Sequence, residues 1–404
     1  MLNARLSGMT DYPFARLAGL LKDTPPLAGR AVLNLAVGEP QLPPPPMIAE
    51  TLARHVADWG RYPPIAGTPE LRKAAAAWLT RRYGLRADAV DPERTILPVQ
   101  GSREALYQIA EVVAGGRDDG RDHVLVPNPS YATYAAAGKL MGAEAVPLST
   151  RRETGFLPEL DSLTKPLLDR TSLFYLCTPS NPEGAIADLD YLKRAISLAR
   201  THGFVLAVDE CYAEIWDRAP PPGALEAATA LGPGESGDPF ANVVVFHSLS
   251  KRSSAAGMRS GFVAGDRSVV ALMQRLRTYS SSAPPLPIQA ASTALWIDEA
   301  HVEANRATYR AKIDLAEKIL GKRFGFYRPA GGFLLWLDVG NGAEVARRLW
   351  RDAALRVLPG AYLGRADAEN FNPGDSYIRV ALVHDDSILR PALERMAETL
   401  SKGD

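Results

Sequence analysis

The chain has 404 residues, 46% apolar and 23% charged, enough for about two domains with substantial cores. Forty-six basic residues balance forty-six acidic ones, so no overall field draws the chain to nucleic acid or to an anionic membrane. Two cysteines, Cys177 and Cys211, and six histidines without paired spacing argue against a disulfide scaffold or a clustered metal centre.

No run approaches the roughly 20 apolar residues of a membrane span. The N-terminus lacks the apolar core of a signal peptide, and a reducing cytoplasm is the expected compartment.

Four prolines, 43–46, predict a rigid extended turn. Thr68 to Tyr83 reads as a helix with Pro69 in its first turn. Strand Arg94–Leu97 and helix Arg103–Val113 follow, then strand His123–Val126, helix Ser130–Met141 and strand Glu144–Leu148. Strand Leu173–Cys177, helix Leu189–His202 and strand Phe204–Val208 continue the alternation. The Pro-, Gly- and Ala-rich stretch 219–240 reads as a surface excursion, leading to strands Val243–Phe246 and Phe262–Ala264.

Ser280 to Pro287 breaks helical periodicity. Beyond it a long helix is predicted over 288–321, then strand 332–337, helix 343–352, strand 376–381 and helix 386–400. Alternating strands and helices predict an α/β fold with a doubly wound, mainly parallel sheet in a large domain, plus a smaller α+β domain. The expected division is an N-terminal arm and small-domain segment over 1–45, a large domain over 46–285 and a C-terminal small domain over 286–404.

The most informative segment is His247-Ser-Leu-Ser-Lys-Arg-Ser-Ser-Ala-Ala-Gly-Met-Arg-Ser-Gly261. It sets Lys251 beside Ser248 and Ser250, with Arg259 eight residues later. A lysine amine forms a Schiff base with a carbonyl cofactor, while hydroxyls and a guanidinium fork suit a phosphate dianion. The preceding apolar run places the lysine at a strand's end, where α/β sheets present ligands. Ser248-Leu-Ser-Lys251 also fits the bare serine β-lactamase nucleophile motif, but that enzyme class needs Ser-Asp-Asn and Lys-Thr-Gly, and neither occurs. Gly232-Pro-Gly-Glu-Ser-Gly237 is a literal dinucleotide fingerprint but precedes a strand instead of linking strand to helix, so a nicotinamide site is rejected.

With its Ser-x-Ser-Lys and Gly-x-Arg-x-Gly phrases, the chain resembles the fold-type I, pyridoxal-phosphate-dependent class I/II aminotransferases. The resemblance implies pyridoxal 5'-phosphate held on Lys251, with Lys251, Asp209 and Tyr212 carrying the chemistry. Asp209, in Asp-Glu-Cys-Tyr212, matches the carboxylate that keeps the pyridine nitrogen protonated. Tyr212 and Asn181, the latter in Asn-Pro-Glu-Gly184, match the donors to the phenolate oxygen; Glu183 stands where the family most often has threonine.

Gln100-Gly101-Ser102-Arg103-Glu-Ala105 resembles the family's phosphate turn, in which free N–H groups at a helix start hold the anion. Tyr131 matches the aromatic residue stacked on the pyridine. Tyr62 matches the tyrosine that reaches the neighbouring subunit's phosphate, which implies a homodimer with shared active sites. Arg379, on an apolar strand where an unpaired charge is costly, matches the arginine that takes the substrate α-carboxylate; backbone near Gly38 and the Asn181 side chain adjoin it in the family.

The implied activity is ping-pong transamination between amino-acid and keto-acid substrates, glutamate and 2-oxoglutarate among them. Four phrases, such as Tyr62-Pro-Pro-Ile-Ala-Gly67 and Trp296-Ile-Asp-Glu-Ala-His301, are most similar to the N-succinyldiaminopimelate aminotransferase subgroup of lysine biosynthesis. Arg30, Arg103, Arg252 and Arg277 are candidate partners for a distal carboxylate. The alternatives are an aminotransferase for aspartate, alanine or aromatic amino acids, a pyridoxal-phosphate β-lyase, or a pyridoxal-binding regulator, which would need a basic DNA-binding region that this neutral chain does not offer.

Overall fold

The computed structural model describes residues 3–114, 119–367 and 369–402. Seven strands form one sheet: β1 (Ile96–Val99), β2 (His123–Asn128), β3 (Glu144–Ser149), β4 (Thr171–Cys177), β5 (Val205–Asp209), β6 (Val243–Ser248) and β7 (Gly261–Gly265). Their spatial order is β1-β7-β6-β5-β4-β2-β3. All run parallel except β7, which is antiparallel to both β1 and β6.

Helices cover both faces, so the central strands are apolar on both sides, and their two-residue period sorts them between two cores. Phe174, Leu206, Val208, Val243 and Val245 join one core with Trp78 and Phe262. Their neighbours Tyr175, Ala207, Val244 and Phe246 join the other, with helices Ser102–Val113 and Arg267–Ser280.

Local signals explain the helix ends. Thr68 caps helix Pro69–Tyr83 by accepting from the Leu71 N–H at 3.4 Å, and Gly84 closes it at φ +61°. Asp188 caps helix Leu189–His202 through the Tyr191 N–H at 2.7 Å. Pro46 leads directly into helix Met47–Arg54, so the proline run ends on a helix start.

A second, antiparallel sheet contains β8 (Leu334–Asp338), β9 (Leu358–Pro359) and β10 (Tyr377–Ala381), in the order β9-β10-β8. Leu335, Leu337, Ile378 and Val380 pack with helices Ala300–Leu320, Gly342–Ala353 and Asp386–Ser401. The N-terminal segment joins this part, because Leu33 and Asn34 pair in parallel with Leu355 and Arg356.

Two expected elements differ. The single helix over 288–321 is two, Leu286–Ile297 and Ala300–Leu320. Asp298 is extended, and its carboxylate accepts from the His301 N–H at 3.0 Å, restarting the helix. Leu295 and Trp296 pack into the large-sheet core beside Trp78.

Stretch 219–240 is no surface excursion. It holds helix Ala224–Leu231, whose Ala224, Leu225, Ala227 and Ala228 are buried against helix Leu189–His202. Small side chains allow that close approach. The Ala224 N–H donates to Glu210 Oε1 at 2.7 Å.

Candidate active site

Parallel strands deliver their following loops to one edge of the sheet. The loop after β1 carries Gly101 and Ser102, that after β2 carries Tyr131, and that after β4 carries Asn181. Asp209 ends β5 and Ser248 ends β6. Because β7 returns antiparallel, the β6–β7 connection stays at this edge with Ser250, Lys251 and Arg259 on it.

A cavity of about 520 Å³ opens here. Lys251, Asp209, Tyr212, Asn181, Tyr131, Ser102, Arg103, Ser248, Ser250, Arg259, Gly38 and Arg379 all line it. Tyr62 lies elsewhere in the single chain, 98% exposed.

Lys251 sits on the short helix Leu249–Arg252, whose start is capped by Ser248 Oγ accepting from the Ser250 N–H at 3.1 Å. Its Nζ donates to the Gly38 carbonyl at 2.6 Å. Burial pulls its pKa down to about 8. Tyr212 and Phe333 present ring faces 5.8 and 5.3 Å from Nζ, and Tyr212's hydroxyl has no hydrogen-bond partner among the described residues.

Asp209 is buried, and burial pushes its carboxyl up; two donors oppose that. Tyr134 donates to Oδ2 at 2.7 Å, and the Cys211 N–H to Oδ1 at 3.1 Å. Tyr134 was not foreseen. It is wholly buried, stacked on Tyr175 at 4.8 Å and edge-on to Tyr131 at 5.7 Å. Its only sequence signal is its place three residues after Tyr131, one helical turn on.

The phosphate-type turn has the form its residues predict. Gly101 has φ +87° and opens helix Ser102–Val113, whose Ser102 and Arg103 N–H groups have no acceptor among the described residues. A Cβ added to Gly101 would stand 2.3 Å from Arg259 Nη2, so only glycine lets the guanidinium lie against the turn. Arg259, itself left-handed at φ +50°, donates to Glu104 Oε2 at 2.9 Å. Cys211 Sγ meets Ser102 Oγ at 3.0 Å. These N–H groups, the hydroxyls of Ser102, Ser248 and Ser250, and Arg259 form an anion cradle next to a nucleophilic amine, and pyridoxal phosphate fits that donor set.

Arg379 is 5% exposed on β10. Nη1 donates to Asn181 Oδ1 at 3.0 Å and Nη2 to the Ala36 carbonyl at 2.8 Å, while Nε has no partner. No carboxylate pairs with Arg379 among the described residues. A buried cation held only by neutral acceptors has charge to offer an anion.

The four distal arginines separate cleanly. Arg252 is tied to the Leu295 and Asp298 carbonyls and to Glu299. Arg277 lines the adjoining groove of about 1510 Å³ and donates to the Ile65 carbonyl, and Arg30 lines neither that groove nor the cavity. Arg103 lines both, with Nε on the Tyr131 hydroxyl.

Over residues 30–396 the sequence matches the family Aminotransferase class I and II. The chain belongs to that family. Members use pyridoxal phosphate, and the chain is a pyridoxal-phosphate-dependent aminotransferase. This aminotransferase is 33% identical to the 4-dedimethylamino-4-oxo-anhydrotetracycline transaminase of Streptomyces rimosus, covering 90% of this chain and 93% of the relative. It is 29% identical to the LL-diaminopimelate aminotransferase of Dehalococcoides mccartyi, covering 99% of each. Its fold superimposes on an aminotransferase from Neisseria meningitidis with a TM-score of 0.92 at 38% identity, covering 98% of this chain and 99% of that one. The fold is the fold-type I α/β class expected from the sequence.

Proposed function

We propose that this aminotransferase runs a ping-pong exchange in which N-succinyl-L,L-diaminopimelate and glutamate are the amino compounds and 2-oxoglutarate the returning acceptor. The observation that carries the substrate side is Arg379, a buried guanidinium facing the same cavity as Lys251 with no carboxylate of its own. It takes the substrate α-carboxylate, with Asn181 beside it and Gly38, whose carbonyl holds Lys251, lining the same cavity. Arg103, at the junction of cavity and groove, takes the distal carboxylate. The four subgroup-like phrases support the succinylated substrate, and the full-length similarity to an LL-diaminopimelate aminotransferase supports the carbon skeleton.

Pyridoxal phosphate, when bound, supplies an aldehyde that captures the amino group and a ring that accepts the electron pair left at Cα. Gly101, Ser102 and Arg103, with Ser248, Ser250 and Arg259, hold its phosphate. Asp209 would set a negative charge beside its ring nitrogen, Asn181 and Tyr212 would donate to its phenolate oxygen, and Tyr131 would supply an aromatic face for its ring. Lys251 would anchor it in the resting enzyme, and its freed Nζ would be the base that takes the substrate Cα proton. With a pKa near 8 this amine is an effective base near neutrality.

Tyr62 completes the partner subunit's site in a cytoplasmic homodimer. Support comes from its exposure together with Trp59 and Tyr279, 53% and 83% exposed. The division keeps a large domain over 46–285 and a C-terminal domain over 286–404, with Leu295 and Trp296 of the latter packed into the large-sheet core.

Single-turnover absorbance changes of the bound cofactor with glutamate, N-succinyl-L,L-diaminopimelate, LL-diaminopimelate, aspartate and alanine test the substrate. Fast conversion by glutamate and the succinylated compound is expected. If that compound is inert while free LL-diaminopimelate reacts, the succinyl specificity is wrong; if only aspartate or alanine joins glutamate, the enzyme belongs with the general aminotransferases. Release of a keto acid without amination of the cofactor would point to a β-lyase instead.

A further inference from the structure

Glu183 lies in the turn that presents Asn181, and it is 2% exposed. Its Oε1 stands 2.8 Å from Thr150 Oγ1, and that same hydroxyl is 3.0 Å from the Asn128 carbonyl. Thr150 is 4% exposed and Asn128 3%. A threonine hydroxyl has one proton and two acceptors compete for it here. The Thr150 N–H also donates to the Asn128 carbonyl, at 2.8 Å, and the Ser180 side chain and Glu183's own N–H donate to the Glu183 carboxyl; a Glu183 that carries a proton can donate it to Thr150 Oγ1 while the Thr150 hydroxyl donates to Asn128.

No cation lies within ion-pairing distance of Glu183 among the described residues. The titratable and charged groups around it are few. Cys177 faces it from the end of β4, and Tyr327 donates to its backbone carbonyl at 2.7 Å. Arg151 and Arg152, which follow Thr150, are turned onto the rings of Phe371 at 4.5 Å and of Tyr327 at 5.2 Å. Arg379 reaches the turn only through Asn181.

We propose that Glu183 is a positioning residue that works as a neutral carboxylic acid, locking the Asn181 turn to the ends of β2 and β3 and so holding Asn181 against Arg379. The proposal rests on the reading of Arg379 as the α-carboxylate site. Geometry supports the lock, because the turn is closed on itself by the Gly184 N–H on the Ser180 carbonyl at 2.9 Å and tied to the chain ahead of β8 by the Gly331 N–H on the Gly184 carbonyl at 3.0 Å. Burial pushes the carboxyl up to about 7, so the proton is lost in the range where the enzyme works. Ionised, the carboxylate is a buried anion with no cation beside it, and it draws the Thr150 hydroxyl away from the Asn128 carbonyl, which keeps the Thr150 N–H. The turn then relaxes and Arg379 loses a fixed neighbour.

The test uses holoenzyme and 2-oxoglutarate, whose carboxylates do not titrate near neutrality. Relative to Glu183→Gln, which keeps the neutral form at every pH, the wild-type KM should be equal at about pH 6 and at least about three-fold higher at about pH 8.5, with the two kcat values alike. Infrared difference spectra between the two proteins should show a carboxylic-acid carbonyl band below about pH 7 that fades above it. A missing band overturns the neutral acid; a band with parallel KM profiles overturns the link to Asn181 and Arg379. Arg379→Ala separately tests the site on which the proposal rests, because loss of Glu183's effect alongside intact carboxylate binding by Arg379→Ala would indict that reading instead. Should Glu183→Gln fail to fold, Glu183→Thr, which has no carboxyl, serves in its place: a pH-independent KM supports the proposal and a wild-type profile refutes it.

Discussion

Lys251 Nζ is held by the Gly38 carbonyl with its pKa lowered by burial to about 8, and only the neutral amine is a nucleophile. The rate at which cofactor-free enzyme captures pyridoxal phosphate should therefore rise with pH through about 8; stopped-flow absorbance reads it, and a flat profile would remove the burial argument. Lys251→Ala should lose at least roughly 10²–10⁴-fold in turnover, along with the covalent cofactor band. Arg379→Ala, which deletes charged hydrogen bonds of about 1.5–3 kcal/mol, should raise KM roughly 10- to 150-fold for every amino acid while cofactor stays bound. Gly101→Ala puts a Cβ at φ +87° and 2.3 Å from Arg259 Nη2. Its cost of about 1–3 kcal/mol lies in the folded backbone, so it should lower the melting temperature of the cofactor-free protein, and the displaced Arg259 should weaken cofactor affinity in a fluorescence titration. These positions were singled out in the sequence by their motifs and by the family resemblance those motifs carry. Tyr134 on Asp209 did not announce itself, since its hydroxyl meets a carboxylate 75 positions away.

Among the elements, the connection from β6 to β7 matters most, because its antiparallel return keeps Lys251 and Arg259 at one edge. Helix Leu286–Ile297 is the least expected. It buries Trp296 at 1% exposure against Trp78 and Phe262, at centroid distances of 4.8 Å each. Trp296→Ala should cost about 3–5 kcal/mol in urea unfolding; a loss under about 1 kcal/mol would mean the helix is not part of that core. The neighbouring turn at Glu183 adds a pH term to stability. A carboxyl whose pKa is about 7 when folded against 4.5 otherwise holds its proton longer in the native state, so its contribution is present below 4.5 and lost as pH rises through about 7. The stability difference between wild type and Glu183→Gln should therefore shift against the wild type over that window.

At the scale of the whole molecule, the proposed shared sites predict complementation. Mixing Lys251→Ala chains with Tyr62→Ala chains should restore activity that neither has alone, since one site of each hybrid combines an intact Lys251 with the partner subunit's Tyr62. No recovery after subunit exchange, or a monomer by sedimentation, would place Tyr62 outside the site. Among the described residues no helix is long and apolar enough to cross a membrane.

Composition, the alternation of strands and helices, and the motifs around Lys251, Asn181 and Asp209 were enough, from sequence alone, to set the fold class and the chemistry. They are local: a strand's apolar period, a glycine at a positive φ, a lysine at a strand end. Tertiary structure decided what depends on distant segments meeting. It split one long predicted helix at Asp298, buried Ala224, Leu225, Ala227 and Ala228, gave Arg379 neutral neighbours instead of an ion pair, and left Arg103 as the one of the four candidate arginines lining the cavity. Such facts turn on packing and desolvation between residues far apart in the chain, and no local pattern encodes them.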